Sequence, residues 1–263
     1  MKTTTVSSLS TMKVNGEKFA VITAYDFTFS TLIENAAIEV VLVGDSLGNV
    51  IQGRDSTLPV TVDEMAYHTA AVKRGNNRAL LISDMPFMSY ATDVQAFENA
   101  AILMQAGAQM VKLEGGEWLA DTVHLLTERG IPVCGHIGLT PQSVHKLGGY
   151  KVQGKDEQAA EQLITDAKAL ESAGAELIVV ECVPSSLGRE LSETLDIPVI
   201  GIGAGPDTDA QVLVLHDMLG ISQRLPSFSK NFIEDNSSIE EAITAYGNEV
   251  RTGTFPAPQH CFK

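Results

Sequence analysis

The strongest constraint on the fold of this 263-residue chain is a short apolar run that returns eight times. The runs are Phe19–Tyr25, Val40–Val43, Ala79–Ile82, Met110–Leu113, Ile131–Cys134, Leu177–Val180, Pro198–Ile202 and Val212–Leu215. Most are rich in Val, Ile and Leu and do not alternate with polar residues, which is how strands covered on both faces read. Segments with helical spacing lie between them. Thr61–Arg74 opens on a capping Thr followed by Asp63 and Glu64, an acidic first turn that the helix dipole favours. Thr92–Ala106, Glu117–Arg129 and Asp156–Ala173 are followed by Gly107, Gly130 and Gly174, the residue type that ends helices in the left-handed conformation. Strand, helix and glycine in repetition are βα units, and eight of them predict one closed (β/α)8 TIM-barrel domain over 1–263. A doubly wound open sheet is the alternative, but its edge strands should read as more polar, and none of the middle runs does. The more polar region 226–263, with a helix expected over Ser238–Glu249 and a Pro-containing tail, reads as a C-terminal appendage on the surface or a subunit contact.

Charge narrows the function. The chain carries 33 Asp and Glu against 18 Lys and Arg, a net −15. That field repels phosphate backbones and anionic lipid, so neither nucleic acid nor membrane is an expected partner. A small anionic substrate remains compatible, because a local metal or lysine outweighs a distant field. Cys134, Cys182 and Cys261 are far apart and odd in number, which predicts reduced thiols rather than a disulfide framework or a zinc site. The first ten residues lack the apolar core of a signal peptide, and no run reaches membrane-spanning length. A cytoplasmic protein is expected.

In a barrel the chemistry gathers at the C-terminal ends of the strands. There the second run leads into Gly44-Asp45-Ser46 and the third into Asp84. The fourth carries Lys112 and Glu114, the fifth leads into Gly135-His136, the sixth ends in Glu181, and the seventh enters Gly201-Ile202-Gly203-Ala204-Gly205. Each has an ordinary structural explanation: a helix cap at Asp45-Ser46, a turn at Asp84, a same-face ion pair for Lys112 and Glu114, a satisfied histidine at 136. Five successive strands ending in ionisable residues are harder to explain as independent turns. Asp45, Asp84 and Glu114 supply hard oxygen ligands, which favour Mg2+ or a similar cation. Lys112 can counter a substrate carboxylate or a developing enolate. Glu181, on the sixth strand, can serve as a base.

The same stretches carry a resemblance. TAYDFTFS at 23–30, VLVGDSLGNVIQGRDSTLPVTVDEMAYHTAAVKRG at 41–75, DMPFMSY at 84–90, AGAQMVKLEGGEW at 106–118, IPVCGHIGLTPQSVHKLGGYKVQG at 131–154, VVECVP at 179–184 and PVIGIGAG at 198–205 resemble the ketopantoate hydroxymethyltransferase family. The resemblance spans nearly the whole chain, and departs from the family pattern at 221–226 and 256–263. It implies a barrel of the phosphoenolpyruvate/pyruvate type. The implied activity is transfer of a hydroxymethyl group from 5,10-methylenetetrahydrofolate to 3-methyl-2-oxobutanoate, giving 2-dehydropantoate for pantothenate synthesis through a metal-stabilised enolate. It further implies Asp45 and Asp84 as direct Mg2+ ligands with Glu114 completing the metal site. Ser46, Asp84 and Lys112 would contact the 2-oxo acid, as would Asp45 through the metal, with His136 supporting and Glu181 the proton acceptor. The family assembles as a homo-oligomer, typically a decamer. Two other readings stay open: a C–C lyase using the same enolate, and a non-catalytic metabolite-binding barrel.

Overall fold

The computed structural model describes residues 3–263. Its eight strands are β1 (Phe19–Thr23), β2 (Val40–Val43), β3 (Leu80–Asp84), β4 (Met110–Glu114), β5 (Val133–Gly138), β6 (Leu177–Glu181), β7 (Val199–Ile202) and β8 (Ala210–Leu213). All pair in parallel and in chain order, and β8 returns to β1 through Phe19↔Ala210 and Val21↔Val212. Closure leaves no unpaired edge, which is why none of the runs carries the polar pattern of an edge strand.

The eight expected runs all overlap strands, but two are displaced. The fifth starts later and runs to Gly138, because Pro132 has no N–H to give a ladder and Gly135 belongs to the strand rather than a loop. A Cβ at Gly135 would stand 2.9 Å from Leu170 Cδ1, so the missing side chain lets a helix pack closely. The eighth begins at Ala210, two residues early, because buried Gln211 sits in it and donates to Gly205 O and Thr208 Oγ1. A polar residue satisfied inside a strand hides that strand from an apolar pattern.

Eleven helices follow or separate the strands among the described residues. They are α1 (Val6–Val14), α2 (Phe27–Asn35), α3 (Leu47–Val50), α4 (Val62–Gly75), α5 (Asp93–Ala106), α6 (Ala120–Thr127), α7 (Val144–Leu147), α8 (Glu157–Ser172), α9 (Ser185–Thr194), α10 (Leu215–Met218) and α11 (Ile239–Arg251). The caps are those the sequence signals. Thr61 and Glu64 form a reciprocal capping box on α4, and Thr92, Asp156 and Ser238 accept from backbone N–H groups three residues on. The helix expected over Glu117–Arg129 is divided into a 3-10 turn, Glu117–Leu119, and α6.

Alternation along each strand sorts residues to two sides. Ala20, Ile22, Val41, Val43, Leu81, Val111, Leu113, Ile178 and Val180 face outward into the layer beneath the helices. Phe19, Val21, Val40, Leu42, Leu80, Ile82, Met110, Cys134, Leu177, Val179, Ile200, Ile202, Ala210 and Val212 fill the interior. Buried Leu9 of α1 joins that interior group, and Lys13 pairs with Asp209 just before β8 at 2.8 Å. Helix α1 therefore closes the end of the barrel where the strands begin, leaving the other end for chemistry.

The region after 226 is not an appendage laid on the surface. Phe232, Ile243, Tyr246, Val250 and Phe255 are buried in the same core as the outer strand faces. Tyr246 Oη lies 2.8 Å from both Val21 O and Gln211 O, which share its one hydrogen. Phe232, Tyr246 and Phe255 pack edge to face with centroids 5.5–5.9 Å apart. Helix α11 covers β1 next to α2, and its apolar face was masked in sequence by the polar segment leading to it. All three cysteines are free thiols. Among the described residues no helix is long and apolar enough to cross a membrane.

Candidate active site

The interior columns of four neighbouring strands end in ionisable residues. Ile82 is followed two residues on by Asp84, Met110 by Lys112 and Glu114, Cys134 by His136, and Val179 by Glu181. Register then sets neighbours: Asp84↔Lys112 on β3–β4, Glu114↔His136 on β4–β5, Gly138↔Glu181 on β5–β6. Five side chains expected at the strand ends thus meet at one end of the barrel. Asp84, Lys112, Glu114 and His136 are buried, and the Glu181 side chain keeps 13% exposure.

Asp45 joins them from the turn after β2. Its N–H donates to Asp84 Oδ2 at 3.0 Å. Gly44 makes this approach possible, because a Cβ there would lie 2.6 Å from Ser46 Oγ and 3.6 Å from Asp84 Oδ2. Ser46 does not cap α3; its hydroxyl is hydrogen-bonded with Tyr25 Oη at 2.9 Å.

Lys112 is the hub. Its ammonium lies 3.1 Å from Asp84 Oδ1, 3.1 Å from His136 Nδ1 and 4.0 Å from Glu114 Oε1. His136 Nδ1 also approaches Glu114 Oε1 at 3.4 Å, and its Nε2 approaches Glu181 Oε2 at 3.3 Å without lining up as a hydrogen bond. Burial pushes the carboxyls of Asp45 and Asp84 up, and for Asp45 the charges of Asp84 and Glu114 add to it. Burial opposes ionisation of Glu114 too, but hydrogen bonding to His136, the Lys112 charge and the Gln142 N–H bring its carboxyl below the ordinary range. Lys112 pays a similar desolvation penalty, which Asp84, Glu114 and Asp45 more than reverse, holding the ammonium protonated. His136 is raised as well: burial and Lys112 work against the charged ring, and its contacts to Glu114 and Glu181 prevail.

Asp45, Asp84 and Glu114 are three buried carboxylates beside one permanent cation, Lys112, so added positive charge would be favoured there. Asp84 Oδ1 is buried and makes no well-formed hydrogen bond despite its closeness to Lys112. Among the described residues no three His, Cys, Asp or Glu side chains form a ready-made metal cluster. Mg2+ does not require one, since it is held by one or two carboxylates together with waters and substrate oxygens. The residues fit such an ion.

Three contributors escape a charge-based reading. Gln142 Nε2 donates to Asp45 Oδ2 at 2.9 Å and to Met85 O at 3.0 Å, while its N–H donates to Glu114 Oε2 at 2.9 Å. Tyr90 Oη donates to Gln142 Oε1 at 2.5 Å. Tyr25 holds Ser46 as above. All three lie inside the stretches that carry the family resemblance, but as uncharged loop residues they give no signal of their own. Directly after Glu181, Cys182 has φ 50°, a left-handed conformation rare for a residue with a Cβ. Its N–H donates to Ile202 O and its carbonyl accepts from Gln153 N–H, so the bend that aims Glu181 is held from both sides.

Fold and site together define an enzyme-like parallel (β/α)8 barrel with an acidic, lysine-centred cluster of buried side chains at the C-terminal end of its strands. Solved barrels share the fold: a putative phosphonomutase from Burkholderia cenocepacia (TM-score 0.63, 14% identity, 82% of this chain and 95% of that one), and a phosphonopyruvate hydrolase in complex with oxalate and Mg2+ (TM-score 0.60, 13% identity, 80% of each chain). A sequence model of the ketopantoate hydroxymethyltransferase family matches residues 3–258. The 3-methyl-2-oxobutanoate hydroxymethyltransferase of Cronobacter sakazakii is 59% identical over 263 residues, all of both chains. That of Colwellia psychrerythraea is 57% identical over 260 residues, 98% of each. The chain belongs to the ketopantoate hydroxymethyltransferase family of enzymes.

Proposed function

We propose that this chain transfers a hydroxymethyl group from 5,10-methylenetetrahydrofolate to 3-methyl-2-oxobutanoate, forming 2-dehydropantoate for pantothenate synthesis. The observation that carries the reading is the meeting of Asp45, Asp84, Lys112, Glu114, His136 and Glu181 at one end of the barrel. Such a set can bind a small 2-oxo acid and take a proton from it. Lys112 and the Ser46 hydroxyl hold the carboxylate and keto oxygens. Glu181 accepts the C3 proton, the C–H electron pair becomes the C2–C3 double bond, and the carbonyl pair moves onto oxygen. A divalent cation held by Asp45 and Asp84, with Glu114 completing its surroundings, supplies Lewis acidity at the keto oxygen when bound. His136, between Lys112 and Glu181, keeps the base oriented. The enolate carbon then forms the new C–C bond to the donated methylene carbon and water forms its C–O bond, while the two C–N bonds to the folate break. The proton from C3 and one from water end on the folate nitrogens, tetrahydrofolate leaves, and no oxidant is needed. Positioning matters because the C3–H is tertiary and hindered. The family resemblance extends the reading to a homodecamer working in the cytoplasm.

The test is proton exchange at C3 of 3-methyl-2-oxobutanoate in D2O, followed by NMR with Mg2+, with EDTA, and with or without methylenetetrahydrofolate. Metal-dependent exchange, with hydroxymethylated product only when the folate is present, supports the reading. Folded protein that exchanges nothing under any condition overturns it.

A further inference from the structure

We infer that Gln142 is a positioning residue that sets Asp45 and Glu114 for a divalent cation; the inference rests on the function proposed above. Gln142 comes from the 3-10 turn Pro141–Ser143 after β5, and is 6% exposed. It hydrogen-bonds two carboxylates of the site, Glu114 at the end of β4 and Asp45 in the turn after β2. Its backbone N–H holds Glu114 Oε2, and its side-chain amide holds Asp45 Oδ2. One oxygen of each carboxylate is thereby taken, which fixes the direction of the other.

The amide orientation is dictated by its neighbours. Asp45 Oδ2 and Met85 O are both acceptors, so the NH2 group must face them. Tyr90 Oη, which donates to Gln142 Oε1, closes the opposite side, and that same hydroxyl is braced against Glu114 O and accepts from the Glu114 N–H. Both amide hydrogens and the amide oxygen are engaged. Two of the four partners of Gln142, Glu114 and Asp45, are carboxylates of the site.

Outer groups of this kind orient metal ligands and tune affinity. Gln142→Met keeps the length of the side chain and the backbone bond to Glu114, but removes the bond to Asp45. Mn2+ alone is titrated into wild type and variant, and free Mn2+ is read from its EPR signal. Expected is wild-type binding, with Gln142→Met about tenfold to a hundredfold weaker per folded protein, and turnover recovered when Mn2+ is raised. A purely structural role would lower thermal stability and leave Mn2+ affinity of the folded protein unchanged, and that result overturns the inference. If Gln142→Met does not fold, Gln142→Asn takes its place: it keeps a buried amide one methylene short of Asp45, with the same expectation and the same overturning result. Wild type that fails to bind Mn2+ overturns the metal reading itself and the inference with it, an outcome distinct from wild-type binding that Gln142→Met leaves intact.

Discussion

Lys112 and Asp84 are Cα partners across the β3–β4 ladder, and their side chains meet at 3.1 Å inside the closed end of the site. The ammonium is the only permanent cation among Asp45, Asp84 and Glu114. Lys112→Met therefore leaves three buried carboxylates without it, and a destabilisation of about 3–5 kcal/mol is expected. Urea unfolding in EDTA measures it, and Mg2+ should restore part of the loss by supplying charge. Stability unaffected by the substitution would mean that the carboxylates are not ionised together.

Glu181 is the least buried of the strand-end group and faces His136 Nε2 at 3.3 Å. Glu181→Gln preserves shape but cannot accept a proton. Binding of 3-methyl-2-oxobutanoate should survive by calorimetry, while C3 exchange falls about 10²- to 10⁴-fold. Near-normal exchange would remove Glu181 from the role of base.

The Tyr246 hydroxyl ties α11 to β1 and β8 at once. Tyr246→Phe should lower stability by about 1–3 kcal/mol, because the two buried carbonyls that share its one hydrogen lose their donor. Its denaturant midpoint should fall without a change in activity of the folded enzyme. An unchanged midpoint would return the C-terminal helix to the status of a surface attachment.

Asp217, in α10, accepts from Ser222 Oγ at 2.5 Å and has its carboxyl raised above the ordinary 3.8 by burial. A raised carboxyl contributes stability that is present below the unfolded value and is lost as pH rises through the folded value. Asp217→Asn escapes that loss. Its melting temperature relative to wild type should therefore rise as pH increases from the ordinary carboxyl value of 3.8 and level off once the folded carboxyl has ionised. A difference that stays flat over this interval, or that falls, would contradict the assignment.

The strand-end residues were readable because β structure has a two-residue period. Once Ile82, Met110, Cys134 and Val179 are assigned inward, Asp84, Lys112, His136 and Glu181 must follow them into the barrel. Glu114 comes with Lys112 by the same step. Asp45 is one residue out of phase with Val40, Leu42 and Gly44, and it enters the site through the turn after β2 rather than by strand alternation. Its place in the site was legible from its position just after the second run, at the end where a barrel gathers its chemistry, and not through period.

Local sequence thus decided the number of βα units, the helix caps and the inward columns, because those depend on spacing along one segment. The closed tertiary structure decided what spacing cannot reach. Gln142 and Tyr90 brace the carboxylates from loops whose direction is set by packing on β4 and β5. Helix α1 closes the far end because its Leu9 finds the interior opened by β1 and β8. Helix α11 belongs to the core because Phe232 and Phe255, distant from it in sequence pattern, complete its apolar face. Each of these contacts joins separate segments of the chain, and the energy that selects them arises from burial and hydrogen bonding between elements rather than within one.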